Sequence, residues 1–163
     1  MKKRIISTRQ LKIVLWVLFL ASVYLILYKT IFNRPVDDNH PIKLELFWEL
    51  KQWITGNGFG KDIINNILLF VPFGITLGLI WGRWYVIPVG FSFSLLVELS
   101  QLIFRIGWFE LDDILNNTIG TALGFAVAVL IIKNCGVQEF MKNTKKEIAP
   151  LSDKSGGGYL MKK

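Results

Sequence analysis

The sequence predicts an all-α integral membrane protein: a bundle of four transmembrane helices with a short interfacial helix between the first and second. Three observations carry that reading. Hydrophobic residues make up 52% of the 163-residue chain, and the mean hydropathy is +0.44, too apolar for a soluble domain of this size. Four apolar runs, 11–32, 63–82, 85–105 and 113–132, each match the roughly 20 residues a helix needs to cross the hydrocarbon layer. The last three runs carry their polar residues at one end only: Asn65 and Asn66 open the second, Glu98, Gln101 and Arg105 close the third, and Asp112, Asp113, Asn116 and Asn117 open the fourth. Antiparallel packing of these spans brings the three polar ends to one side of the bilayer.

The first run follows a basic tail over residues 1–10 and has no Ala-x-Ala cleavage pattern at its end. It is longer than the apolar core of about 7–15 residues that a signal peptide carries, so an uncleaved anchor helix is expected. Residues 33–62 connect it to the second span. Within this segment, Ile42, Leu46, Phe47, Leu50, Trp53 and Ile54 fall on roughly one helical side, with Glu45, Glu49 and Gln52 opposite. That pattern, with tryptophans that settle at a membrane–water boundary, predicts an amphipathic helix over 41–53 lying on the leaflet. Thr55–Gly60 is a breaker cluster, and Asp62 after it suits an N-cap.

Small residues recur every four positions along the spans: Gly74, Gly78 and Gly82 on the second, Gly90 and Ser94 leading to Glu98 on the third, Gly120 and Gly124 on the fourth. Such stripes let helix backbones approach closely where lipid supplies no hydrophobic drive for association. Pro72 is expected to kink the second span. Residues 133–163 form a basic tail whose Gly-Gly-Gly and terminal lysines suggest disorder.

Charge sets the expected orientation. Of 19 Lys and Arg residues, thirteen fall in the N-terminal tail, the 83–84 turn and the C-terminal tail, against five (Arg34, Lys43, Lys51, Lys61, Arg105) on the other side beside eight acids. The positive-inside rule then places both termini in the cytoplasm of a bacterial, multi-pass cytoplasmic-membrane protein, with the polar ends facing out. The basic residues flank spans and form no basic face, which excludes nucleic acid as a partner. One cysteine, Cys135, excludes an internal disulfide, and one histidine, His40, leaves no His-built metal site and no Ser–His or Cys–His nucleophile.

Glu98, Gln101 and Arg105 share one helix face, with Glu98 about 10 Å below Arg105. A lone carboxylate at that depth costs roughly 2.5–3.5 kcal/mol, so protonation, Arg105, or the amides of Asn66, Asn116 or Asn117 are expected to relieve it. Asp113 and Asn117 share a face that continues to Gly120 and Gly124 and is expected to meet Glu98. Asn66, Glu98, Gln101, Arg105, Asp113 and Asn117 are therefore the candidate ligand-binding residues. Glu98, Asp112 and Asp113 are the candidates for any catalysis and for any metal, an all-oxygen set suited to Mg²⁺ or Ca²⁺. A buried polar network that merely locks the bundle is the competing reading, as is a scaffold for envelope proteins or a homo-oligomer assembled through the glycine faces.

Three blocks, Asn66-x-x-x-Phe70-Val71-Pro72-Phe73-Gly74, Ser94-x-x-x-Glu98-x-x-Gln101 and Asp112-Asp113-x-x-x-Asn117-Thr118-x-Gly120-x-x-x-Gly124, together resemble the VanZ-like family, named for the teicoplanin-resistance protein of Gram-positive bacteria. The match covers about 60 residues in order and spacing. The family pattern has an Arg shortly before an Asp-x-Asp-Asp run; here Glu110 stands for the first Asp and Ile106–Phe109 lengthen the gap after Arg105. The resemblance implies lowered susceptibility to teicoplanin-type lipoglycopeptides, with a membrane lipid or lipid-linked cell-wall precursor as partner. A metal-dependent enzyme acting on a lipid-linked phosphate is the alternative.

Overall fold

The computed structural model describes residues 8–36 and 42–134. Residues 1–7, His40 and the basic tail from Cys135 onward lie outside them.

The chain is a helical, multi-pass membrane protein. α1 (Thr8–Leu27) runs on through a five-residue π-helical turn, Tyr28–Phe32. After a two-residue strand β1 (Ile42–Lys43) come α2 (Trp48–Ile54), α3 (Gly60–Trp81), α4 (Val86–Phe104), a second short strand β2 (Phe109–Glu110) and α5 (Leu111–Asn134). Among the described residues four helices are long and apolar enough to cross a membrane, Arg9–Phe32, Gly60–Trp81, Val86–Phe104 and Leu111–Asn134. They coincide with the four apolar runs, except that α3 starts three residues early and α5 extends past the fourth run at both ends.

α3 and α5 form the closest pair, and their small residues explain why. A Cβ at Gly74 would strike the Thr121 backbone, one at Gly120 the Ile67 backbone, and one at Gly124 the Val71 carbonyl and the Gly74 Cα. α4 joins through Gly90, whose missing side chain leaves room for Thr121. α1 closes the bundle over an apolar cluster of Ile26, Phe70, Phe73, Leu77, Val86 and Val97, where Phe73 stacks on Phe93 with ring centroids 5.4 Å apart. Gly82 departs from the stripe. It ends α3 in the left-handed region at φ 62°, its N–H bonded to the Gly78 carbonyl at 2.8 Å. Pro72 lies within an unbroken α3, and Thr76 Oγ1 donates to its carbonyl at 2.8 Å.

The 33–62 connection differs from expectation. Of the helix predicted over 41–53, Pro41 lies outside the described residues, 42–47 are not helical and 48–53 are, within a helix that ends at Ile54, because the residues before it have other partners. Ile42 and Lys43 pair in parallel with Phe109 and Glu110, and Phe47 takes a left-handed conformation at φ 62° ahead of the first turn. Asp62 is not the N-cap of the second span. α3 begins at Gly60 after Phe59 in the left-handed region, placing Asp62 inside the first turn. The early start allows Gly60 to receive the Trp53 indole, which any Cβ there would overlap.

Filling the α3–α5 contact should therefore be costly. Gly120→Val is expected to lower stability by about 1–3 kcal/mol or more through overpacking, read as a lower melting temperature in detergent, while Ala126→Val on the exposed side of the same helix leaves the melting temperature unchanged.

Candidate functional site

Polar residues from five elements meet where α3 and α5 begin and α4 ends. Asp112, in the first turn of α5, does not cap its own helix. Its Oδ1 accepts the Phe47 N–H at 2.6 Å and its Oδ2 the Glu49 N–H at 2.9 Å. One carboxylate thus serves the free N–H groups at the start of α2, which a seven-residue helix cannot satisfy itself. The result points Glu49 inward: it is 3% exposed, and its Oε2 accepts the Asn116 Nδ2 amide at 2.9 Å.

Beside it, Asp113 Oδ1 accepts from Asn66 Nδ2 at 2.5 Å. One oxygen from each of Glu49, Glu110 and Asp113 can be chosen so that all three lie within 4.8 Å of one another, a spread that oxygen ligands of Mg²⁺ or Ca²⁺ adopt. Arg34 faces the group from the end of α1. It lines a cavity of about 270 Å³ with Glu49, Asn65, Asn66, Trp108 and Asp113 among others, and it lies within electrostatic reach of Glu98 and Asp113. Burial, then the negative charges of Asp113, Glu110, Asp112 and Asp62, push the Glu49 carboxyl up to about 8.

A second cation closes one edge. The Lys43 ammonium sits 3.5 Å from the Trp48 ring centroid and 3.8 Å from that of Trp108, and 3.0 Å from Glu110 Oε1. It has no hydrogen-bond partner of good geometry, so charge and the aromatic faces hold it. This box fastens β1 to β2 and covers the site.

Glu98 is 1% exposed. Its Oε2 accepts the Glu110 backbone N–H at 3.1 Å. Neither Arg105 nor an asparagine amide reaches it among the hydrogen bonds and ion pairs of the described residues. Gln101 Nε2 donates to the Thr30 carbonyl at 3.0 Å, an acceptor left free at the end of the π-helical turn, where Pro35 lacks an N–H. Asn117 Nδ2 donates to Ser94 Oγ at 2.9 Å, so the Asp113–Asn117 face meets α3 and Ser94. The other amide atoms, Gln101 Oε1 and Asn117 Oδ1, are buried acceptors without a protein partner.

Of the sequence candidates, Asn66 and Asp113 meet in the cavity, and Glu98 lies within electrostatic reach of Asp113. Gln101 is bonded to Thr30 and Asn117 to Ser94, outside the cavity lining. Arg105 lies outside it too. It is exposed and ends α4 in the left-handed region at φ 55°; the arginine that lines the cavity is Arg34. Asp112 is buried, but both its oxygens hold α2, and the clustered carboxylates are Glu49, Glu110 and Asp113, sharing only Asp113 with the candidate metal set. Glu49 carried one signal in sequence, its place on the polar side of an amphipathic stretch, and Glu110 its place in the acidic run. Nothing local marked Arg34, 64 or more positions from the acids it faces in α4 and α5.

A family model described as VanZ/LLP1 matches residues 13–132. Protein VanZ of Enterococcus faecium is 32% identical over 107 residues, covering 63% of this chain and 63% of that protein. The chain thus aligns with less than two thirds of that relative's length. No solved structure gives a significant match.

Two outcomes follow from the geometry. Asp112→Ala leaves two N–H groups unpaired and should cost about 1–2 kcal/mol locally, seen as faster hydrogen exchange across 47–54 with α3 and α5 unaffected. The raised Glu49 carboxyl binds its proton more tightly folded than unfolded, so below pH 4.5 its effect is neutral, stability falls as pH rises from 4.5 to about 8, and it is flat beyond. Glu49→Gln should remove that part of the pH dependence of the melting temperature.

Proposed function

Because the chain belongs to the VanZ/LLP1 family, we propose that it lowers susceptibility to teicoplanin-type lipoglycopeptides by engaging a lipid or lipid-linked cell-wall precursor at an outward-facing polar pocket of the bacterial cytoplasmic membrane. The observation that carries this reading is the cavity of about 270 Å³ at the meeting of the polar helix ends, lined by Arg34, carboxylates, asparagine amides and aromatic rings. Polar groups at this depth are costly, and their convergence reads as a functional site. The outward direction rests on the excess of Lys and Arg in the tails and the 83–84 turn.

A second reading is favoured by the carboxylates. An anionic phosphate would face Glu49, Glu110 and Asp113 in the pocket against Arg34, and a divalent cation held by that trio would offset the repulsion. Mg²⁺ or Ca²⁺ there would act as a Lewis acid on a lipid-linked phosphate, with Asn66 orienting Asp113 and Asn116 orienting Glu49.

Expression in a teicoplanin-sensitive Gram-positive host is expected to raise the inhibitory concentration, and Glu98→Gln and Asp113→Asn to abolish the rise at equal protein level. No rise with the unaltered chain would refute the resistance function. Purified protein with isoprenoid phosphates separates the two readings: Mg²⁺-dependent turnover lost in Glu49→Gln supports the enzyme, saturable binding without turnover the binder. A reporter fused after Lys163 should signal from the cytoplasm, and one inserted at Asn57 from outside.

A further inference from the structure

The segment 42–54 has two unlike faces. Lys43, Trp48 and Glu49 turn inward over the polar site, while Leu44, Leu46, Phe47, Trp53 and Ile54 are between 50% and 77% exposed, and the exposed Glu45 and Lys51 pair with each other at 3.8 Å. These apolar side chains lie outside the four spans, where a water-facing loop would carry polar residues. Two anchors fix the height of the segment. The first N–H groups of α2 bind Asp112 in the first turn of α5, and Trp53 packs on Gly60, the first residue of α3. Both anchors are beginnings of membrane-spanning helices, so α2 lies level with the edge of the hydrocarbon layer. The exposed apolar surface is also continuous with the lipid-facing surface of the bundle. Gly60, Ile64 and Leu68 form one stripe along α3, and Ile64 and Leu68 are 49% and 59% exposed below Trp53.

We propose that the 42–54 segment docks into the lipid leaflet beside the polar site through Leu44, Leu46, Phe47, Trp53 and Ile54, so that the leaflet holds the outer face of the structure that carries Glu49. Tryptophan at the boundary fits its preference for the interface, and apolar side chains on one face with a polar face opposite are what an interfacial element presents. The inference depends on the bundle spanning a membrane, whatever the pocket binds.

Single-cysteine variants Leu46→Cys and Ile54→Cys, each with Cys135→Ser, are labelled with an environment-sensitive fluorophore in phosphatidylglycerol–phosphatidylethanolamine nanodiscs. Asn57→Cys, in the exposed breaker turn, is the aqueous reference. Both apolar positions should show blue-shifted emission, several-fold weaker quenching by iodide than Asn57, and several-fold stronger quenching by a spin label near the lipid headgroup. Only variants that elute as a single species and keep their melting temperature are compared. Iodide access equal to that at Asn57 would overturn the proposal in favour of a water-exposed loop. Shielding from both quenchers would overturn it in favour of a covering second copy of the chain.

Discussion

A polar group buried inside the protein has no water to turn to and must find its partner among the residues around it. That constraint acts most visibly at Asp112. The start of α2 exposes N–H groups that a seven-residue helix cannot satisfy, and Asp112 supplies an oxygen to each of two of them. Because the carboxylate belongs to α5, this capping is also a tertiary contact, and it decides where α2 begins and which way Glu49 points. The Lys43–Glu110 ion pair, boxed by Trp48 and Trp108, fastens the same segment at its other end. Between these two fastenings the connection becomes a wall of the site.

The helix stripes are what let the polar ends meet. With glycine at 74, 120 and 124, the α3 and α5 backbones touch, and that approach brings Asn66 within hydrogen-bonding distance of Asp113. Gly90 brings α4 against Thr121 in the same way, and Ser94 then meets Asn117. Packing and polar satisfaction are therefore one arrangement: a larger side chain in the seam would separate the groups that complete each other's hydrogen bonds.

The chemistry of the site follows from crowding. Glu49, Glu110 and Asp113 converge with Glu98 nearby, while Lys43 is committed to Glu110 and Arg34 is the remaining cation facing the cavity. Carboxylates so close in a poorly solvated place are eased by protonation or by a cation. The divalent cation of the second proposed reading would relieve that imbalance directly, whereas a lipid-linked ligand without one would meet it through Arg34 and the asparagine amides.

The fold class and the four spans were legible in the sequence because hydrocarbon imposes length and composition along the chain, locally and without reference to other segments. The approach of Asn66 and Glu98 to Asp113 was legible for a related reason: polar residues confined to span ends must face each other when the spans pack antiparallel. The tertiary structure alone decided the rest. It set Arg34 in the place expected of Arg105, because the end of α1 approaches the acids while the left-handed turn at Arg105 leaves that side chain exposed. It gave Asp112 to α2 and brought Glu49 and Glu110 beside Asp113, since capping and ion pairing join residues about 65 positions apart. Periodicity records which face of a segment is polar. Which distant partner meets that face is fixed only by the three-dimensional approach of the chain.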